Sequence, residues 1–200
     1  MKSAFDIQQQ QGDPDSKLVI AFEKMAELFR VLLWEKGKVH GLSPIQIQLL
    51  IFIAHHEQDL TSPAQLAKAF NLTRPTISDA IKSLVQKGLM TQKAHPNDAR
   101  SKQLQLSEQG RQLLPELEQF PAPLLTALAP LSAEDKGQLL EQMLSLLGSL
   151  SDTQLISKQR MCYQCRFYEG DKMQKHHCQF LQKDLAATEL RIDCPEYEVG

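Results

Sequence analysis

Four cysteines stand near the end of this chain: Cys162 and Cys165, two residues apart, then Cys178 and Cys194 after gaps of 12 and 15 residues. A Cys-x2-Cys knuckle bends the chain so that both thiolates reach one metal ion, and two more thiolates complete a tetrahedral site. The spacing therefore predicts a metal site on Cys162, Cys165, Cys178 and Cys194. Zinc is the first candidate, because closed four-thiolate sites commonly hold structural zinc. An iron–sulfur cluster is the alternative, faintly echoed by Cys194-Pro195. His176 and His177 precede Cys178, and either can replace a cysteine as ligand or help retain the thiolates electrostatically. Free, unrelated thiols are the plain alternative. A metal would also solve a folding problem. After residue 160 the side chains expected to build a core are Tyr163, Phe167, Tyr168, Phe180, Leu181, Leu185, Leu190 and Ile192, and about forty residues with so little apolar mass rarely fold without a staple. Such a module acts either as a structural cap or as a sensor whose thiolates oxidise.

A second group of side chains suits a different chemistry, the reading of nucleic acid. Between Thr61 and Arg111 there are eight basic and three acidic residues, a local excess of five positive charges in a chain of net charge −2. That asymmetry is the footprint expected of a phosphate-binding face. Within it, Arg74, Thr76, Ser78, Asp79 and Lys82 fall on the polar side of a helical pattern. Arginine can pair with guanine, and the threonine methyl can contact thymine. Lys93, His95, Asn97, Arg100 and Lys102 cluster in and around a turn-rich segment just downstream.

The elements that must position these groups read as helix, turn, helix and wing. Thr61 or Ser62 starts the first helix, with Pro63 in its first turn and Gln65 at capping-box spacing. Leu66, Ala67 and Phe70 supply its buried stripe, and Leu72 is expected as an apolar plug in the turn Asn71-Leu72-Thr73. Thr73 caps the second helix and Pro75 sits in its first turn. Ile77, Ile81, Leu84 and Val85 recur at helical spacing, and Gly88 ends the helix. Residues 89–93 and 102–106 pair as a hairpin, with Pro96, Asn97 and Asp98 in the turn. Capped amphipathic helices with solvated polar faces also occur in any small helical domain. The basic hairpin tips the balance towards DNA.

Gly88-Leu89-Met90, then Asp98-Ala99-Arg100, then Leu104-Gln105-Leu106-Ser107-Glu108-Gln109-Gly110 resemble the MarR family of bacterial winged-helix regulators. The similarity covers roughly Ser16 to Asp152; the wing and the segment after it are fairly specific to the family, whereas the helix-turn-helix alone is not. The resemblance implies a homodimer on a pseudo-palindromic double-stranded DNA operator, usually repressing nearby genes. It also implies a possible small-molecule or oxidant effector, the small molecule in a crevice between the dimer helices and the wing domain. The cysteine end departs from the family pattern.

The flanking segments fit that expectation. Asp15 or Ser16 caps a long helix whose stripe is Leu18, Ala21, Phe22, Met25, Leu28, Phe29, Leu32 and Leu33. That stripe either packs on its own domain or enters the dimer interface, where the resemblance puts part of it. Ser43-Pro44-Ile45-Gln46 opens a further helix to about His56. His40, His55 and His56 read as loop and helix-end residues rather than ligands. A helix beyond Ser107 runs towards Glu118, meets a break at Phe120–Pro123, and is followed by another from Ser132 bearing Leu139, Leu140, Met143, Leu146, Leu147 and Leu150. The expected fold is mainly α with a small β wing. It is a winged helix-turn-helix with long N- and C-terminal dimerisation helices and a small metal-stapled C-terminal module. The expected division is a flexible stretch 1–15, a regulator domain 16–152 (helix-turn-helix 61–88, wing 89–106) and a cysteine module 153–200.

Two hundred residues, 42% hydrophobic and 6% aromatic, allow one aliphatic core with an appendage. No apolar run approaches the roughly 18–20 residues of a membrane span, and the first residues lack a signal-peptide core, so a cytoplasmic protein is expected. No nucleotide-binding glycine loop, nucleophile–base pair or group of catalytic carboxylates is visible, which argues against an enzyme. An iron–sulfur redox protein and a protein–protein adaptor built on the winged-helix scaffold are the competing readings.

Overall fold

The computed structural model describes residues 3–95, 98–172 and 174–200, with main chain only at residues 9, 94, 95 and 98–102. Helix α1 (Ile7–Gln10) is one turn capped by Asp6. Helix α2 (Pro14–His40) follows; its cap is Asp13, which accepts from the Ser16 amide, so the helix begins slightly ahead of the expected Asp15 or Ser16. It stops at Gly41, whose φ of 61° lets the Leu42 amide reach back to the Gly37 carbonyl at 2.8 Å. Helix α3 (Pro44–His55) starts in a Ser43/Gln46 capping box. It is apolar almost all round and becomes the centre of the main core, with Ile47, Leu49 and Leu50 wholly buried.

Helices α4 (Pro63–Ala69) and α5 (Arg74–Gln86) and the antiparallel strands β1 (Met90–His95) and β2 (Asp98–Leu106) pack against α3 through Leu66, Ile77, Ile81, Leu84, Met90 and Leu104. The hairpin is longer than the 89–93 and 102–106 runs expected. Helix α6 (Glu108–Leu117) closes this core with Leu117. Hydrogen bonds tie it to the earlier helices: His40 Nε2 meets Glu116 at 2.9 Å, and His55 pairs with Glu118. The expected break at residues 120–123 leads directly into a short helix, α7 (Ala122–Leu128). Helix α8 (Ala133–Asp152) follows from the Ser132/Asp135 capping box.

Beyond α8 the chain forms a small irregular unit around a three-stranded antiparallel sheet of β3 (Tyr168–Gly170), β4 (His176–Cys178) and β5 (Lys183–Asp184). The expected metal staple is not what holds it. Among the described residues, no group of three or more histidine, cysteine, aspartate or glutamate side chains is placed to hold a metal ion. Zinc and the iron–sulfur cluster are therefore both withdrawn as cofactors on Cys162, Cys165, Cys178 and Cys194, and all four are free thiols. The physical reason lies in α8. The apolar residues of the tail are few by themselves, but the tail shares a core with the helix before it. Leu144 of α8 is buried with Met161, Cys162, Tyr163, Leu185 and Leu190, and Leu140 and Leu147 pack around them. Gly137 lets the tail approach closely, since a Cβ there would stand 3.0 Å from Ala187 Cβ. Neither histidine is available as a ligand. His176, with a side chain only 2% exposed, bridges Glu141 Oε1 (2.7 Å) and the Tyr168 hydroxyl (2.8 Å), while His177 pairs with Asp184.

Leu144→Ala should leave a cavity at this shared core and cost about 2–5 kcal/mol. A lower urea midpoint with unchanged slope for the transition that includes the tail checks this, and an unchanged midpoint would show that α8 does not support the tail.

Candidate nucleic-acid interface

Helix α5 is held by local chemistry at both ends. Asn71, with φ of 51°, terminates α4: its amide bonds to the Lys68 carbonyl and the Leu72 amide to the Ala67 carbonyl, the paired bonds of a Schellman stop. Thr73 then accepts from the Thr76 amide at 3.3 Å, and Arg74 and Pro75 form the first turn of α5. At the far end Gly88, with φ of 71°, repeats the stop through Gly88 N to Val85 O and Leu89 N to Leu84 O, both 3.0 Å. This second stop turns the chain directly into β1.

Between these stops Ile77, Ala80, Ile81 and Leu84 face the core. Thr73, Arg74, Thr76, Ser78, Asp79 and Lys82 are all exposed, on the opposite side and weighted to the N-terminal half. Three details differ from expectation. Val85 is exposed rather than buried. Leu72 does not plug the turn; it is 39% exposed and lies where the winged helix meets the tail. Phe70 is only partly buried, edge-on to Phe52 with ring centres 5.4 Å apart.

In the hairpin, Lys93 is exposed opposite Gln103. His95 pairs with Asp98 across the strands, and Lys102 stands opposite Ala94, with a register shift between Ala94 and His95. Arg100 lies on β2. Asn97 lies outside the described residues.

The structure sorts the basic residues that the sequence merely counted. Lys87 donates to the Gly41 carbonyl at 2.5 Å, and Arg111 donates to the Leu106 carbonyl at 2.8 Å while pairing with Glu108. Both brace the fold. Among the described residues Arg74, Lys82 and Lys93 have no ion pair. An unpaired cation on a rigid helix can replace its water with a phosphate or base-edge acceptor without first breaking an intramolecular bond. Lys68 is also exposed, but it points to the tail, a placement the linear pattern did not signal.

The four cysteines do approach one another. They line a single small cavity of ≈ 20 Å³, together with Phe167, Leu181 and Leu185. Two of the sulfurs are engaged elsewhere: Cys162 Sγ accepts from the Arg191 amide at 3.2 Å, and Cys194 Sγ lies 3.6 Å from the Arg191 guanidinium and 3.3 Å from Glu196. Burial pushes the Cys162 and Cys194 thiols up, only partly countered by Arg191. They are therefore held as thiols, the less reactive form.

The main-chain path agrees with known proteins. The sequence model of the MarR family matches residues 40–101. The S. aureus MepR–DNA complex superimposes with a TM-score of 0.58 at 24% identity, covering 66% of this chain and 96% of that one. The transcriptional regulator SlyA gives 0.57 at 18% identity, covering 66% and 95%. A MarR transcriptional regulator from Methanosarcina mazei Go1 gives 0.59 at 15% identity, covering 68% and 97%.

Because the folded Cys162 and Cys194 thiols ionise above the ordinary thiol range, the folded state keeps protons that the unfolded chain releases as pH rises. Their contribution to stability is present below pH 9 or so and is lost on going upward through the folded values. Alkylation by iodoacetamide at neutral pH, read by peptide mass spectrometry, should modify buried Cys162 more slowly than Cys165 or Cys178. Equal rates at all three would contradict the burial seen here. Over about two thirds of its length the chain carries the winged-helix fold of MarR regulators.

Proposed function

We propose that this protein is a dimeric, sequence-specific DNA-binding transcriptional regulator, acting as a repressor on a pseudo-palindromic double-stranded operator in the cytoplasm. The observation that carries the reading is that Arg74 and Lys82 are exposed and have no ion pair among the described residues, on a helix capped at both ends and joined to a basic hairpin. In this reading Thr73, Arg74, Thr76, Ser78, Asp79 and Lys82 enter a major groove, and Lys93, His95, Asn97, Arg100 and Lys102 serve the adjacent backbone. The similarity to MepR in a DNA complex supports it.

Dimerisation is supported by apolar surface that the chain leaves open. Along α2, Leu18, Phe22, Met25 and Phe29 are exposed, as are Leu139, Leu146 and Leu150 on α8. Apolar residues exposed together along one helix are the kind of surface that a partner subunit covers. The proposed division is a lead-in of residues 1–15, a DNA-binding and dimerisation domain 16–152, and a tail 153–200 that serves as a structural cap. The raised thiols favour that role over rapid oxidation. A small-molecule effector in the crevice between dimer helices and wing domain belongs to the same proposal. No helix among the described residues is long and apolar enough to cross a membrane, and nothing in the reading calls for catalysis.

Arg74→Ala should relax base preference by about 1–3 kcal/mol at one operator position, whereas Arg100→Ala should weaken binding evenly across sequences and flatten its salt dependence. Fluorescence anisotropy on an operator selected from genomic fragments, at two salt concentrations, measures both. Affinities indistinguishable from wild type for both variants would sink the reading. A salt-insensitive chain that binds no DNA would favour the adaptor alternative. Phe22→Asp should shift the chain towards monomer in sedimentation equilibrium. An unchanged mass would place the dimer contact elsewhere.

A further inference from the structure

The tail touches the DNA-reading lobe as well as α8. His56, stacked on Phe52 with ring centres 3.6 Å apart, pairs with Asp193, and Asn71 Oδ1 accepts from the Ser157 amide at 2.8 Å. Between these two pins lies an open cleft of ≈ 560 Å³, within the roughly 300–1,000 Å³ of small-molecule sites. One wall is Phe52, Leu60 and Lys68 of the winged helix; the other is Lys158, Ile192 and Val199 of the tail.

The charges of the cleft are unequally matched. Its acids are already engaged: Asp193 by His56 and Arg160, and Glu198 by Arg166 at 2.7 Å. Lys158 donates to the Gly200 main-chain oxygen at 3.0 Å. Lys68 alone among the cleft's cations has no ion pair or hydrogen bond among the described residues, and it also borders the adjoining cleft of ≈ 430 Å³ beside Leu72 and Ile156. A free ammonium beside Phe52, Leu60 and Ile192 suits a molecule with one acidic group and an apolar body. A neutral apolar molecule would gain nothing from the exposed ammonium, and a highly charged one would lose its own hydration against the apolar wall.

We propose that this cleft is a binding site for a small amphipathic organic anion, an aromatic or branched carboxylate or sulfonate, with its acidic group on Lys68 and its apolar body between Phe52 and Ile192. The site is distinct from the DNA-reading face and from the crevice beside the dimer helices, because half of its wall comes from the tail. An occupant touches both sides of the joint and so favours the arrangement in which tail and reading lobe are held together.

The probe is 8-anilinonaphthalene-1-sulfonate, titrated by fluorescence into the full-length protein without DNA, so the outcome does not depend on the proposed regulator function. Saturable binding at one probe per chain is expected. Lys68→Glu, at an exposed position, should weaken it by about tenfold or more, as should removal of the probe's charge by using N-phenyl-1-naphthylamine. Ile192→Trp, which fills the cleft from the opposite wall, should weaken it as well. Unchanged affinity in both variants would overturn the proposal by placing the dye on the exposed faces of α2 and α8. Non-saturating binding, or equal affinity for the uncharged dye, would overturn it too.

Discussion

Helix α8 is apolar on two sides, and much of the molecule follows from how those sides are covered. Leu140, Leu144 and Leu147 lie under the tail, so a segment with few large apolar residues of its own gains a core by packing on a helix that is already formed. Leu139, Leu146 and Leu150 remain open on the other side, as does much of α2. Leaving both sides in water would forfeit about 25 cal/mol for each Å² of apolar surface. The tail thus does for one side of α8 what a second subunit would do for the other. The Glu141–His176 contact adds direction to the apolar packing, because a buried imidazole must find partners in a defined geometry.

That arrangement gives the tail a place between two working parts. It is rooted on α8 through His176, Leu144 and the close approach at Gly137, and it reaches the reading lobe through His56 and Asn71. Asn71 is also the left-handed residue that stops α4. One side chain therefore connects the helix-turn-helix geometry to the position of the tail. The two contacts at the joint therefore help fix how α3 and α4 sit relative to α8.

The helix boundaries were largely legible in the sequence. Ser43, Ser62, Thr73 and Ser132 cap where their side chains suggest, and Gly88 takes the left-handed turn that its position requires. These features depend on residues three or four apart, so the local chain carries them. Local pattern is not decisive where a side chain has two surfaces it can meet. Leu72 was expected to plug a turn and instead faces the tail. Leu144 was absent from the expected stripe of α8 yet is its most buried leucine. The cysteine spacing suggested a metal because spacing along a chain says where thiols can reach, not what else competes for them. In the folded tail Arg191 and Glu196 engage two of the sulfurs. The same limit holds for charge: the segment is basic by count, but only the fold separates Lys87 and Arg111, used as braces, from Arg74 and Lys82, which have no ion pair among the described residues.

By itself the sequence determined the capped helix-turn-helix, the hairpin that follows it and the local excess of positive charge. Each rests on backbone chemistry and periodicity within a few residues. Only the tertiary structure decided what covers α8, what holds the tail in place of a metal, and that Lys68 faces a cleft instead of the reading surface. Those outcomes join residues up to 137 positions apart, as His56 and Asp193 are. Burial and ion pairing at such separations are settled by which surfaces compete for the same space, and no local pattern records that competition.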